Sequence, residues 1–318
     1  MDPTDFAIYR YLSPDGQIRF WGSRRVVDPL LPVREIAEQV KLSEAGVRAR
    51  LKNLEKLGYL RGRETWVNPA LFGASLVVSE IPVPGSPEAQ RLLSDLSLVD
   101  GAIFARDILD EKSRAVLVYY LSDSAEATLR RSTLLRKLSP GGQMRGPIPY
   151  WLPPCTRELT SLDWRILQAF RRKPNANQAE LAEAVGISLK TTGTRFHQLV
   201  EACACWSAIS SSSEEMPLAM LEIGVRDGAD PLVVARAVAD VNESWMPIAA
   251  DGFGVPAVSA GRTLRGLVPA EATAALEHSI RRTLIVPGVA NIHRTFALGS
   301  ASYPQWADDR IAAKAKAK

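Results

Sequence analysis

QAELAEAVGISLKTTGTRFHQLVE, residues Gln178 to Glu201, holds two short helical patterns joined at a glycine. Leu181, Ala182 and Val185 recur at helical spacing in the first, and with Ile187, Phe196 and Leu199 the core is expected to form. Gly186 and Ile187 form the turn, because glycine enters the left-handed region at least steric cost. Ser188 then offers an oxygen to cap the next helix. Ala182 is small where two helices cross closely. The second helix is crowded with hydrogen-bonding side chains: Lys190, Thr191, Thr192, Thr194, Arg195, His197 and Gln198. Upstream, Ser161 to Arg172 places Leu162, Ile166, Leu167 and Phe170 on one helical face. Three helices with this turn read as a helix-turn-helix, whose second helix leads into a major groove with its N-terminal residues.

REIAEQVKLSEAGVRARLKNLEK, from Arg34 to Lys56, repeats this text with an offset of 145 residues. Ala37 falls on Ala182, Ser43 on Ser188, Arg50 on Arg195 and Leu54 on Leu199. One repetition at this distance means a duplicated domain. Lys41 replaces the turn glycine, so a residue with a Cβ must take a glycine conformation. Ser43, Arg48, Arg50 and Lys52 are the candidate DNA-facing residues of this copy, alongside Ser188, Lys190, Thr191, Thr192, Thr194, Arg195 and His197 of the second. These are types that reach phosphates and base edges. The recognition helices differ: Glu44, Ala45 and Arg48 stand against Leu189, Lys190 and Gly193. The expectation is a non-palindromic site.

Behind the first copy, LGYLRGRETWVNPALFG reads as turn, strand, turn and strand, a wing with Arg61 and Arg63 at its tip. The second copy has CACWSAISSSSEEM there, and its serines with Glu214 and Glu215 predict a reduced wing. An insertion at 13–30 separates helices one and two of the first copy. It carries Arg19, Arg24 and Arg25 beside Phe20 and Trp21. Packing on its own domain through Trp21 is favoured over an added DNA-contacting loop.

The rest of each half alternates strand and helix patterns. ASLVVSEIPV, AIFARDIL, RAVLVYYL and MRGPIPYWL read as strands, with SPEAQRLLSDLSLV and SAEATLRRSTLLRKL as helices. MPLAMLEIGVRD, WMPIAAD, VPAVSAGR and VANIHRTFALG repeat the strands, and DPLVVARAVADVNE and PAEATAALEHSIRRTL the helices. The fold class is α+β: two winged helix-turn-helix domains and two ferredoxin-like (βαββαβ) domains in a duplicated arrangement. The domains are expected at 1–68 and 153–215 (helix-turn-helix), 69–152 and 216–300 (ferredoxin-like), with a disordered tail at 301–318. Each ferredoxin-like sheet keeps one open face, which the other half can cover.

Composition agrees with a soluble multidomain protein. A chain of 318 residues exceeds the roughly 250–300 at which single cores stop growing. Hydrophobic residues make up 46% and charged residues 23%. Net charge is +4, and the stretch Arg34–Arg63 alone, with eight basic and four acidic residues, carries the same excess. That field suits a polyanion. Cys155, Cys203 and Cys205 lack zinc spacing and read as free thiols in a reducing cytosol. The opening Met1-Asp2-Pro3-Thr4 does not resemble a secretion signal, and no apolar run approaches the ~18 residues of a membrane span. A cytoplasmic location without membrane contact is expected. No nucleophile elbow, phosphate loop or paired-carboxylate text appears, and no cofactor or metal is expected.

On these residues the chain resembles the Lrp/AsnC, or feast-or-famine, transcriptional regulators in a tandem two-copy form. Leu162, Asp163, Ile166, Leu167, Glu180, Leu181, Ala182, Val185, Gly186, Ile187, Ser188 and Arg195 fit the family's helix-turn-helix text. DGFGVPAV resembles the glycine-containing hairpin of its effector domain, which makes Asp251, Gly252 and Gly254 candidates for effector binding. The resemblance implies double-stranded DNA as partner, a small-molecule effector such as an amino acid, and homo-oligomers through the ferredoxin-like sheets. One chain would act as a covalent, asymmetric pseudo-dimer, and an enzyme is not expected. Siroheme decarboxylases resemble the same fold and are the alternative. Their chemistry needs His and Arg to hold propionates and move protons. His293-Arg294 is the plausible pair, because His197 lies on the recognition helix and His278 on an exposed helix. A ligand sensor without DNA binding is the third reading.

Overall fold

The computed structural model describes residues 2, 4–5, 7–8, 33–57, 60, 62–110, 113–150, 155–174, 176–210, 218–241, 246–247, 263–269 and 273–316. After helical residues 4–5 and 7–8 come α1 (Val33–Val40), α2 (Glu44–Lys56) and β1 (Gly62–Val67). A 3₁₀ turn at Pro69–Phe72 precedes β2 (Ser75–Val83), α3 (Ser86–Asp95), β3 (Ala102–Leu109), β4 (Arg114–Ser122), α4 (Ala125–Leu138) and β5 (Arg145–Tyr150). The second half contributes α5 (Ser161–Arg172), α6 (Gln178–Val185), α7 (Leu189–Glu201) and β6 (Cys205–Ser210). It ends with β7 (Leu218–Val225), α8 (Pro231–Val241), β8 (Met246–Pro247), β9 (Thr263–Pro269), α9 (Thr273–Leu284), β10 (Val289–Ser302) and α10 (Gln305–Lys316).

These elements sort into two compact units that the chain visits alternately. One gathers residues 1–72, 153–215 and 307–318; the other gathers 73–152 and 216–306. Both helix-turn-helix segments therefore share one unit, and both ferredoxin-like halves share the other.

In the first unit, local chemistry sets each helix start. Thr160 Oγ1 accepts from the Asp163 amide while Asp163 accepts from the Thr160 amide, a reciprocal capping box at the head of α5. Asn177 and Glu180 repeat the device on α6, and Ser43 and Ser188 cap α2 and α7. Gly186 ends α6 at φ +72, its amide donating to Ala182 and Glu183 carbonyls. Ile8, Ile36, Ala37, Val47 and Leu54 form the first core. Trp164, Ile166, Leu167, Phe170, Leu181, Val185, Phe196 and Leu199 are buried in the second copy, with the Phe170 and Phe196 rings 4.6 Å apart edge to face.

The wings correct the sequence reading. β1 does not fold back on a strand of its own copy. It pairs antiparallel with β6, from Gly62 opposite Ser210 to Val67 opposite Cys205. The two copies thus share one ribbon, while residues 211–215, on which a reduced second wing was expected, lie outside the described residues. Edge backbone groups need partners, and the other copy supplies them. Asn68 fastens the junction: its amide donates to the Ala204 carbonyl at 2.9 Å and its side chain to the Cys203 carbonyl at 2.8 Å. The tail is a second correction. Instead of a disordered end, α10 buries Ala307 and Ile311, and Asp308 accepts from Arg171 at 2.7 Å. Apolar residues at i and i+4 were present in the text, but the Lys-Ala alternation beyond them obscured the period.

In the second unit the strands run β5-β2-β4-β3-β10-β7-β9-β8 in one eight-stranded sheet. Each half keeps the ferredoxin-like order. β4 is buried along nearly its whole length because it lies between β2 and β3 under helices, so its text VLVYYL is continuously apolar. Leu92, Leu96 and Leu135 from the helices pack on Val77, Ile81, Val116 and Val118. The halves join at an edge through β10. Val289 to Ala297 pair with β7, and Phe296 to Ser302 pair with β3, with a register shift between Ala297 and Gly299. Tyr303 follows, donating its hydroxyl to the Leu93 carbonyl at 2.6 Å. One strand differs from expectation: β9 is TLRGLVP at 263–269, where Arg265 and Gly266 interrupt the apolar alternation, and the expected strand VPAVSAGR lies outside the described residues.

Candidate nucleic-acid interface

α7 divides cleanly into two faces. Thr192, Phe196, Leu199 and Val200 are buried. Thr192 donates its hydroxyl to the Ser188 carbonyl at 3.1 Å and is fully enclosed. It was expected to face DNA; its position one turn from Phe196 on the core side rules that out. Lys190, Thr194 and His197 are exposed at i, i+4 and i+7, a single stripe with Thr191 beside it. Ser188 accepts from the Thr191 amide at 3.1 Å, which fixes the helix start. His197 lies 3.2 Å from Glu201. Gly193 has a packing reason: an added Cβ would stand 2.1 Å from the Gln178 side-chain nitrogen, which donates to the Leu189 carbonyl.

α2 buries Val47 and Leu54 and turns Glu44, Ala45, Arg48 and Lys52 outward. Ser43 accepts from the Gly46 amide at 3.1 Å. Arg48 approaches Glu44 at 3.5 Å, one helical turn apart, with both side chains at least half exposed. Lys41 takes the turn at φ +56, the conformation glycine has in the other copy.

The two matched arginines do something else. Arg195 donates to Asp163 Oδ1 at 3.4 Å, and Asp163 is fully buried while also accepting from Thr160 and, at 3.1 Å, from Arg157. Arg50 donates to Asp5 at 2.6 Å and to Asp2 at 2.5 Å. Asp2 and Asp5 exchange amide hydrogen bonds as Thr160 and Asp163 do. Each arginine thus ties its recognition helix to the capping acid of helix one. The Arg50 hydrogen bond holds the Asp2 carboxyl below its ordinary range, and the same bonds raise Arg50. Both arginines were expected to reach DNA; both are only one-third exposed and engaged within the fold.

Arg63 sits within β1 opposite Ile209, not at a wing tip. Arg61, the insertion at 13–30, and Asp251, Gly252 and Gly254 lie outside the described residues. His293 is on β10 with Nε2 3.9 Å from Asp110 Oδ2, and His278 is exposed on α9. Cys205 is buried, Cys155 and Cys203 are half-buried, and burial pushes the Cys155 thiol up. Among the described residues no group of three or more His, Cys, Asp or Glu could hold a metal, and no helix is long and apolar enough to cross a membrane. The sequence reading missed Arg157 and Arg171. Arg171 donates to the Thr65 carbonyl at 2.6 Å as well as to Asp308, so it joins α5, β1 and α10. No local period marks such a residue, because Thr65 and Asp308 are both distant in sequence.

Comparison with known proteins agrees with this geometry. Residues 27–61 and 159–202 each match the winged helix-turn-helix DNA-binding family model. An uncharacterized HTH-type transcriptional regulator, PH0045 of Pyrococcus horikoshii, is 30% identical over 69 residues, which span 21% of this chain and 44% of that protein. This chain therefore matches less than half the length of that relative. Crystal structures of the siroheme decarboxylase NirDL share the fold over 98% of this chain and 99% of theirs, or 90% and 95% in its co-complex with an iron-uroporphyrin III analogue. The TM-score is 0.50 in both, with 11% and 12% identity. E. coli AsnC aligns with 44% of this chain and 93% of its own, at TM-score 0.33 and 16% identity. The two helix-turn-helix segments thus match a winged helix-turn-helix model, and the α+β fold of the chain is similar to that of NirDL. The latter corrects the expectation that the chain is no enzyme: this fold carries a decarboxylase along its full length, so the architecture gives no ground for excluding catalysis.

Proposed function

We propose that this chain is a DNA-binding transcriptional regulator of Lrp/AsnC type, one polypeptide acting as a pseudo-dimer on an asymmetric site. The observation that carries the reading is the pair of winged helix-turn-helix segments, each with a capped helix whose polar stripe faces outward. Lys190, Thr191, Thr194 and His197 of α7 and Arg48 and Lys52 of α2 are the contacting side chains. The amides at the two serine caps add donors for phosphate at helix N-termini. Arg63, on the shared ribbon, adds charge, and Arg61 is the further basic residue proposed to contact DNA. The ferredoxin-like unit takes a small effector such as an amino acid and offers its sheets for homo-oligomers, in the cytoplasm.

A shift titration on duplex DNA over a salt series tests this. Binding should weaken steeply with salt, and Lys190→Ala and Lys52→Ala should each lower the slope of log K against log salt by about one. Salt-insensitive binding, or slopes unchanged in both variants, would refute it.

One observation favours a second reading, a siroheme-decarboxylase-like activity: the fold shared with NirDL across 98% of the chain. His293, 3.9 Å from Asp110, is the described histidine placed on the sheet for proton transfer. Adding an iron porphyrin and following its absorbance tests it. A shifted band that His293→Ala abolishes supports the reading, and an unshifted spectrum removes it.

A further inference from the structure

The outward faces of α2 and α7 are chemically unequal at matched positions. Glu44 and Arg48 in α2 correspond to Leu189 and Gly193 in α7. The first pair is a carboxylate and a guanidinium on consecutive turns, 3.5 Å apart and side by side toward solvent, with Ala45 exposed between them. At the matched positions α7 shows an exposed leucine and a glycine covered by the Gln178 amide. Its polar stripe is one amine, two hydroxyls and an imidazole. Arginine forks onto the O6 and N7 acceptors of guanine, and a carboxylate accepts from the N4 amine of cytosine. A lysine amine and threonine hydroxyls bond phosphate or several bases with less discrimination.

We infer that the first helix-turn-helix sets the sequence preference and the second supplies anchorage. Arg48 reads a guanine and Glu44 a neighbouring cytosine. Pairing with Glu44 holds the Arg48 fork before DNA arrives, which lowers the ordering cost of contact. Lys190 and Thr194 bond the backbone of the adjoining half-site. The inference rests on the DNA-binding reading and goes beyond it by assigning unequal tasks to the copies.

The test is selection from a random duplex pool, followed by titration of the selected duplex and of an unselected one. The intact chain should enrich one half-site with a fixed G·C step and a second, degenerate tract. Arg48→Ala should erase the guanine preference and weaken the selected duplex about tenfold or more, with the unselected one changed little. Glu44→Ala should relax the neighbouring position. Lys190→Ala should weaken both duplexes alike. Arg48 and Glu44 are exposed, so unchanged melting temperatures will show that the variants fold. If Arg48→Ala selects the same sequence as the intact chain, or if Lys190→Ala changes the preferred bases, the division of tasks is overturned while DNA binding stands. If the intact chain binds no duplex, both fall together.

Discussion

The two helix-turn-helix copies solve one problem with different chemistry. In each, a capping acid of helix one is held by an arginine from the recognition helix. In the second copy the acid is Asp163, fully buried with Thr160, Arg157 and Arg195 around it. In the first it is Asp5, and Arg50 bridges it to Asp2. The second copy turns at a glycine, the first at Lys41 with the same positive φ. The difference teaches that one plan is kept with unlike partners: a buried acid among several donors in the second copy, an arginine divided between a buried and an exposed acid in the first. Only the first, in turn, carries the charged pair suited to reading bases.

The sharpest way to break this comparison is at the acids. Asp163→Ala leaves two guanidiniums without their buried carboxylate and should cost about 3 kcal/mol. Asp5→Ala leaves Arg50 the exposed Asp2 carboxylate as a partner and should cost less than half as much. Denaturant titration of the full chain reads both. Equal losses would show that the copies are equally tight.

The two turns give smaller effects, opposite in sign to each other. Gly186→Ala forces a Cβ into φ +72 with nothing within 4 Å of it, so the penalty is conformational alone, about 1 kcal/mol. Lys41→Gly should stabilise by somewhat less, because glycine also gains freedom when unfolded. A destabilised Lys41→Gly protein would mean that the Lys41 side chain contributes to the fold.

The seat of α10 gives an effect of similar or smaller size. Asp308→Ala removes the carboxylate that Arg171 reaches at 2.7 Å, yet Arg171 keeps the Thr65 carbonyl at 2.6 Å. A loss of about 1 kcal/mol or less is expected, with faster hydrogen exchange confined to 305–316. The smallest effect is in acid. Its bond to Arg50 holds the folded Asp2 carboxyl below the ordinary carboxylate range, so its contribution is complete above that range and fades as pH falls through it. Being largely exposed, it gives only a shallow slope. Arg50→Ala should flatten it, seen as a smaller fall in melting temperature between pH 5 and pH 3.

Much of this was legible in the text. Gly186, Ser188 and the period of Leu181, Val185, Phe196 and Leu199 specify a helix-turn-helix because turn chemistry and burial act over a few residues. The repeat carried that reading to the first copy, and strand alternation gave the ferredoxin-like halves. Failures arose where partners are remote. β1 reads as part of its own copy's wing until β6 is placed beside it. Thr192 looks like its neighbours Thr191 and Thr194, and only the phase of Phe196 puts it inside. Arg50 and Arg195 are arginines on a recognition helix, and nothing local shows that the acids of helix one already engage them.

Footprinting of the full chain on its selected duplex addresses the central claim most directly, that two unequal DNA readers are joined in one chain. Two neighbouring protected tracts are expected. Arg48→Ala should thin protection over the one holding the G·C step, and Lys190→Ala over the other. A single tract, or two tracts that respond identically to both substitutions, would contradict it.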